Sequence, residues 1–200
     1  VGGAKVSDKI KIIEMLLVSV DKLLIGGAMA YPFLKAQGYT IGNSLCSDED
    51  VSLAKRILNL PSKNKIVLPV DHIVSDSLEG VPTEVGQQNI PDGKIGLDIG
   101  PSTRQLFADH LNKAKTVLWN GPMGLSENVN FAKGTNSVAE TLSKLSGAFT
   151  LIGGGDSVNA VKKSGLADKM SHISTGGGAS LEYIENGSLP GIQALKFGID

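Results

Sequence analysis

The chain has 200 residues, 41% of them hydrophobic and 20% charged, with a formal net charge of -1. This is ordinary composition for a globular domain able to bury a core, and the near-neutral balance supplies no electrostatic reason to bind nucleic acid or a membrane surface. No apolar run approaches the ~18 residues of a membrane span, no signal-peptide pattern is present, and the single cysteine, Cys46, excludes an intrachain disulfide and fits a reducing cytosol.

Taken in chain order, the sequence alternates short apolar runs with helical patterns. It opens on "VGGAKVSDKI", a glycine loop with valine in first place and no strand feeding it. Loops of this kind normally follow a buried strand, so the expectation is a fragment cut at or near such a strand. Residues 6–20 carry Ile10, Ile13, Leu16, Leu17 and Val20 at helical spacing. "DKLLIGG" (21–27) reads as a buried strand ending in glycine. Residues 28–38 read as a helix closed by Gly38, with Pro32 tolerable only in its first turn. Residues 47–60 form a helix opened by a capping box of Ser47 with Asp50, and 65–71 ("KIVLPVD") a strand. Residues 81–93 read as a surface loop with at most short edge strands.

The remainder repeats the alternation. Strands are expected at 94–100, 115–121, 148–155 and 168–175. Helices are expected at 101–114 (proline first), 134–145, 156–164 and 176–186, with a long loop at 121–133. Strands apolar throughout, each followed by a helix, imply a doubly wound, mainly parallel sheet with helices on both faces, in a single Rossmann-like α/β domain over 1–200. In such folds ligands bind beyond the carboxyl ends of the strands.

Those ends carry the glycines: Gly2 and Gly3, Gly26 and Gly27, Gly96 with Gly100, Gly121 after Asn120, Gly153 to Gly155, and Gly176 to Gly178. A single glycine pair is commonly only a tight turn. Six at one sheet edge suit backbone contact with phosphates, presented by helix N-termini. Lys5 and Lys9, read as one helical turn apart on one face, would meet those phosphates; otherwise they are solvated surface lysines. Asp156, at the start of a helix, is either an N-cap or the ligand of a magnesium ion between carboxylate and phosphate. Glu127 is either a surface acid or a ribose acceptor. The three histidines, His72, His110 and His172, have no metal-ligand spacing and read as surface or supporting side chains. No Ser-His-Asp or Cys-His set is evident, which phosphoryl transfer tolerates. A dinucleotide-dependent dehydrogenase would need G-x-G-x-x-G, which is lacking.

The ordered stretches "GGAKVSDK", "IGGAMAYPFLKAQG", "GLDIGP", "WNGPMG", "FAKGT", "IGGGDS" and "SHISTGGGASLE" resemble the C-terminal, nucleotide-binding domain of the phosphoglycerate kinase family. The resemblance runs over nearly the whole chain. It implies a phosphotransferase moving a phosphoryl group between ATP and the carboxylate of 3-phosphoglycerate, giving 1,3-bisphosphoglycerate and ADP, in a cytoplasmic monomer. By that resemblance Lys5 meets the transferring phosphoryl group, Lys9 the nucleotide phosphates, and Gly3, Ala4, Gly26, Gly27, Gly96, Leu97, Asn120, Pro122 and Leu125 surround the nucleotide. Glu127 holds the ribose. Gly153, Gly154, Gly155 and Ser157 meet the phosphates, with Asp156 on Mg2+. Gly176, Gly177 and Gly178, with Gly155, face the reacting group. The family's pattern departs at Ser126, in place of an aromatic residue, at "NVNF" after Glu127, and at Pro32, in place of threonine. The arginine-rich N-terminal domain that binds phosphoglycerate in the family is not represented in the sequence, so the expectation is Mg-nucleotide binding without turnover. The competing reading is a stand-alone nucleotide-binding module.

Overall fold

The computed structural model describes residues 1–174, 176 and 179–197. A 3-10 turn (Ser7–Lys9) leads into α1 (Ile10–Ser19), then β1 (Leu23–Leu24), α2 (Ala30–Ala36), α3 (Asp48–Leu58) and β2 (Ile66–Val67). β3 (His72–Ser75), β4 (Thr83–Val85) and β5 (Ile95–Ile99) follow, then α4 (Pro101–Leu111), β6 (Thr116–Asn120), α5 (Lys133–Ser143), β7 (Phe149–Gly153) and α6 (Gly155–Lys163). The chain continues through β8 (His172–Ile173), α7 (Ala179–Asn186) and α8 (Pro190–Phe197). Among the described residues no helix is long and apolar enough to cross a membrane.

β6, β7 and β8 pair in parallel, as do β1 and β2. The first residues of the chain join these two pieces. Gly26 N–H donates to Val1 O at 3.0 Å and Gly2 N–H donates to Asn120 O at 2.9 Å. Side-chain alternation then sends successive strand residues to opposite faces. Leu23, Ile25 and Leu118 pack with Ile12, Ile13, Leu16 and Leu17 of α1. Leu24, Val117, Trp119 and Ile152 pack with Phe107 and Leu111 of α4 and Leu142 of α5. Both faces are covered, which is why these strands read as apolar throughout.

Three local expectations change. The expected strand at 65–71 shortens to β2, because Pro69 has no N–H to give a ladder. The chain instead resumes pairing at β3, antiparallel to both β4 and β5. All four β3 residues are buried, including His72 and Ser75, so polarity concealed a central strand. The expected helix over 6–20 begins only at Ile10, since Lys9 leaves helical geometry (φ -129, ψ 11). Lys5 and Lys9 therefore do not lie one turn apart on a helix face. Asp50 N–H does donate to Ser47 Oγ at 3.0 Å, as a cap requires. The reciprocal half of the capping box is replaced by a long-range contact: Asp50 Oδ1 accepts from Ser7 N–H at 2.8 Å.

Two buried acids hold helix starts across the fold. The N-cap of α4, Gly100, has no side-chain cap. Asp71, 1% exposed, supplies one from the segment before β3, accepting from Ser102 N–H and Thr103 N–H, each at 2.7 Å. The Thr103 hydroxyl completes the knot, accepting from Val70 N–H at 3.0 Å and bonding the Asp71 carboxylate. Asp98 in β5 accepts from Gly134 N–H at 2.7 Å, in the first turn of α5. Burial pushes its carboxyl up to about 7, against the opposing effect of that bond and of the Ile99 N–H. Beside it in the sheet, burial pushes His72 down to about 4.

Candidate functional site

The glycine turns meet at the carboxyl edge of the parallel strands. Gly3 N–H donates to Pro122 O at 3.1 Å, Gly27 N–H to Met123 O at 3.0 Å, and Met29 N–H to Gly3 O at 3.0 Å. Gly27 has φ 68, and a methyl group there would lie 2.7 Å from Gly3 N. The backbones approach too closely for any larger residue. Gly154, with φ 85, N-caps α6 without a side chain, and a methyl on it would lie 2.9 Å from Asn120 Nδ2. The start of α6 thus presents main-chain N–H groups and the positive end of the helix dipole beside the turn.

Lys9 ties this edge together. Its Nζ donates to Gly2 O at 2.6 Å and to Asn120 Oδ1 at 2.8 Å, with Asn120 O at 3.3 Å. Burial lowers its ammonium to about 8, partly offset by the Asp156 charge. The expected phosphate lysine is therefore directed inward, as a strap between two turns. Lys5 and Ala4 are exposed on the loop above. Lys9→Met should lose about 1–3 kcal/mol, since it strands carbonyl groups that are partly buried. A base whose folded pKa lies below its unfolded one adds stability as pH rises, here from about 8 to 10.5. That rise should be present in the parent chain and missing in Lys9→Met when urea midpoints are compared. Identical profiles would refute the strap.

Ser157 is fully buried, and its Oγ accepts from Gly121 N–H at 2.6 Å. Its side chain positions a turn rather than facing outward. Trp119 Nε1–H donates to Gly121 O at 2.8 Å, and Met123 N–H to Thr135 Oγ1 at 3.0 Å. None of these supports was evident from the sequence. The one usable signal was Asp98, a charge inside the apolar run "GLDIG".

Asp156 lies exposed in the first turn of α6, one residue past its first position; Gly154, not Asp156, is the N-cap. Among the described residues no group of three or more His, Cys, Asp or Glu side chains comes together. A lone exposed carboxylate still fits magnesium, which is usually held by one or two carboxylates while phosphates and waters complete its shell.

On the other side, Leu125 N–H donates to Leu97 O at 2.8 Å, fastening the 121–133 loop to β5. Gly96 lies under the Tyr31 ring, which fills the place of a side chain there. Glu127 is exposed. The "NVNF" segment has its own logic: Asn128 caps the 3-10 turn Val129–Phe131, its Nδ2 donates to Leu78 O at 3.0 Å, and Phe131 is fully buried. Gly176 is exposed; Gly177 and Gly178 lie outside the described residues.

The family model for phosphoglycerate kinase matches residues 1–187. Phosphoglycerate kinases of Clostridium novyi and Latilactobacillus sakei are 55% and 54% identical over 98% of the chain. It covers 50% and 48% of their lengths, so the chain spans about half of these curated relatives. The solved structure of phosphoglycerate kinase from Coxiella burnetii superposes with a TM-score of 0.90 at 40% identity, over 98% of this chain and 50% of that one. The corresponding enzyme from Pyrococcus horikoshii gives 0.85 at 33%, over 98% and 51%. With the glycine turns gathered at the carboxyl edge of a parallel sheet, the match leaves one assignment: the chain belongs to the phosphoglycerate kinase family.

Proposed function

We propose that this chain is the nucleotide-binding part of a phosphoglycerate kinase, a cytosolic monomer that seats ADP or ATP for reversible phosphoryl transfer with 3-phosphoglycerate. The observation that carries the reading is the convergence of the Gly2, Gly27, Gly121 and Gly154 turns on one edge, with an uncapped helix start and Asp156 beside them. Main-chain N–H groups at such an edge bind phosphate without side-chain charge. Magnesium, held by Asp156, would neutralise phosphate charge when bound. Lys5, exposed above the turns, would move onto the phosphoryl group, while Lys9 keeps the turns in register. Leu97, Leu125 and Glu127 would take the adenosine.

In the transfer, a carboxylate oxygen of the acceptor bonds to the γ-phosphorus of ATP as the bridging oxygen leaves with ADP. The chain's part is positioning and charge stabilisation. Its two arginines do not assemble an acceptor site: Arg56 pairs with Glu14 at 2.8 Å, and Arg104 lies in α4. Arginine forks suit capture of carboxylate and phosphate together, so the reading assigns phosphoglycerate binding to a partner domain. The chain alone should bind nucleotide without turnover.

Calorimetric titration with Mg-ADP tests this directly. Saturable binding is expected, and Asp156→Ala should weaken it about tenfold or more while leaving metal-free ADP less affected. Equal titration curves for mutant and parent would remove the metal role. Lys5→Ala should bind nucleotide nearly as the parent does, yet lose transfer once a phosphoglycerate-binding domain is supplied. Restored binding without any transfer in the parent would favour the second reading, a nucleotide-binding module.

A further inference from the structure

Asp98 is a carboxylate inside a buried strand. It is 1% exposed and stands opposite Ile73 of β3. Among the described residues no salt bridge offsets its charge; Arg104 and Lys133 act on it only from beyond contact. Its oxygens accept main-chain N–H groups instead: Oδ1 from Ile99 at 2.9 Å and Oδ2 from Gly134 at 2.7 Å. A carboxylate at such a place is costly, and an apolar residue would suit a central strand better. Its neighbours show what offsets that cost.

The loop between β6 and α5 meets this carboxylate at both ends. Near its start, Gly124 lies against it: a methyl there would run into Asp98 and lie 2.5 Å from Leu97 O. Just past its end, Gly134 packs on the same group while donating its N–H, and a methyl there would lie 2.5 Å from Ile99 Cγ1. Ala132, the N-cap of α5, has no side-chain cap of its own, so the return of the loop depends on Asp98. Between the two ends, Leu125 N–H donates to Leu97 O at 2.8 Å, and Asn128 N–H to Leu125 O at 3.1 Å. Phe131 is buried against Ile73 and Leu97. The loop held in this way carries Leu125 and Glu127.

We infer that Asp98 is a positioning residue for the nucleoside half of the ligand: by gripping Gly124 and Gly134 it fixes where Leu125 and Glu127 stand, without touching the ligand itself. The inference rests on the nucleotide reading and divides that site into two separately supported parts. On the phosphate side the strap runs through Lys9, Gly2 and Asn120. Among the described residues no hydrogen bond links that strap to Asp98. Loss of Asp98 therefore loosens one half of the site and leaves the other in place. Binding groups depend on such supports, because a small displacement forfeits most of a contact.

The test compares Mg-ATP with Mg-tripolyphosphate, the same phosphate chain without its nucleoside, by calorimetric titration of the 200-residue chain. It is run at about pH 8, above the raised Asp98 value of about 7. Asp98→Ala should bind Mg-ATP about tenfold or more weakly and Mg-tripolyphosphate within about twofold of the parent. Asp98→Asn keeps one acceptor oxygen and should fall between; it carries the same comparison where the alanine variant does not fold. Thr103→Val loses a buried hydroxyl from the Asp71 knot and should change neither affinity. Without ligand, amide exchange at Leu125 should be about tenfold faster in Asp98→Ala. Exchange at Val158, whose N–H donates to Gly154 O, should be unchanged. Equal weakening of both ligands, unchanged Mg-ATP affinity, or parent-like exchange at Leu125 would each overturn the inference. A parent chain that fails to bind Mg-ATP would strike the nucleotide reading instead, and the ligand-free exchange tells the two failures apart.

Discussion

Asp71→Ala is expected to remove about 3 kcal/mol or more of stability and to lower the thermal midpoint by roughly 6–12 °C. The carboxylate is buried and accepts from the Ser102 and Thr103 N–H groups and the Thr103 hydroxyl. Truncation strands helix-start donors that Gly100 cannot cap. It also loosens the Thr103 hydroxyl, which accepts from the Val70 and Asp71 N–H groups. The effect should appear in urea and thermal unfolding alike. Thr103→Val should cost less alone, and a double mutant should lose much less than the sum, because both residues serve one knot. A midpoint for Asp71→Ala within about 2 °C of the parent would show that α4 finds another cap.

The second large effect is a pair of opposed pH dependences inside one sheet. His72 is buried and held down to about 4 by desolvation, from an ordinary 6.5. Its unfolded form binds more protons between those values, so this group makes stability fall as pH falls through 6.5 toward 4. Asp98 is buried and pushed up, again by desolvation, from 3.8 to about 7. Its folded form binds more protons in that window, so this group makes stability fall as pH rises from 3.8 to 7. At full extent His72 is worth about 3–4 kcal/mol and Asp98 about 4–5 kcal/mol, at ~1.4 kcal/mol per pKa unit. In the parent they oppose each other between pH 4 and 6.5. Asp98→Asn should expose the histidine slope, losing on the order of 3 kcal/mol on acidification across that window. His72→Gln should do the reverse and gain stability. Urea midpoints at several pH values for the three proteins decide it, since the other carboxylates contribute a common background. Parallel profiles for all three would dispose of both assignments.

Much of the architecture was legible along the chain because local rules and tertiary packing agreed there. The helix beginning at Pro101, the strand carrying "TVLWN" and the helix capped by Ser47 all lie close to their expected places. The departures share a cause. β3 was hidden because two of its four residues, His72 and Ser75, are polar yet buried, and burial is a property of neighbours that periodicity cannot report. α8 was not anticipated, since "PGIQALKF" includes a glycine at its second position. Lys9 was expected as a phosphate contact by its place after a glycine loop, Ser157 and Asn120 by the family resemblance; what no sequence rule reports is that Lys9 Nζ bonds Asn120 Oδ1 and that Ser157 Oγ accepts from Gly121 N–H.

By itself the sequence determined that glycine turns follow a series of apolar strands, because only glycine tolerates both positive φ and backbone-to-backbone approach at a strand end. From this came the fold class and the edge proposed to bind nucleotide; the family came from the ordered motifs that resemble it. Tertiary structure alone decided which charges remain available there. Lys9, drawn inward to Gly2 and Asn120, became a strap, while Lys5 and Asp156 stayed exposed. The reason is desolvation: an ammonium enclosed by converging turns must bond to the carbonyls that enclose it, and a one-dimensional sequence does not say which turns converge.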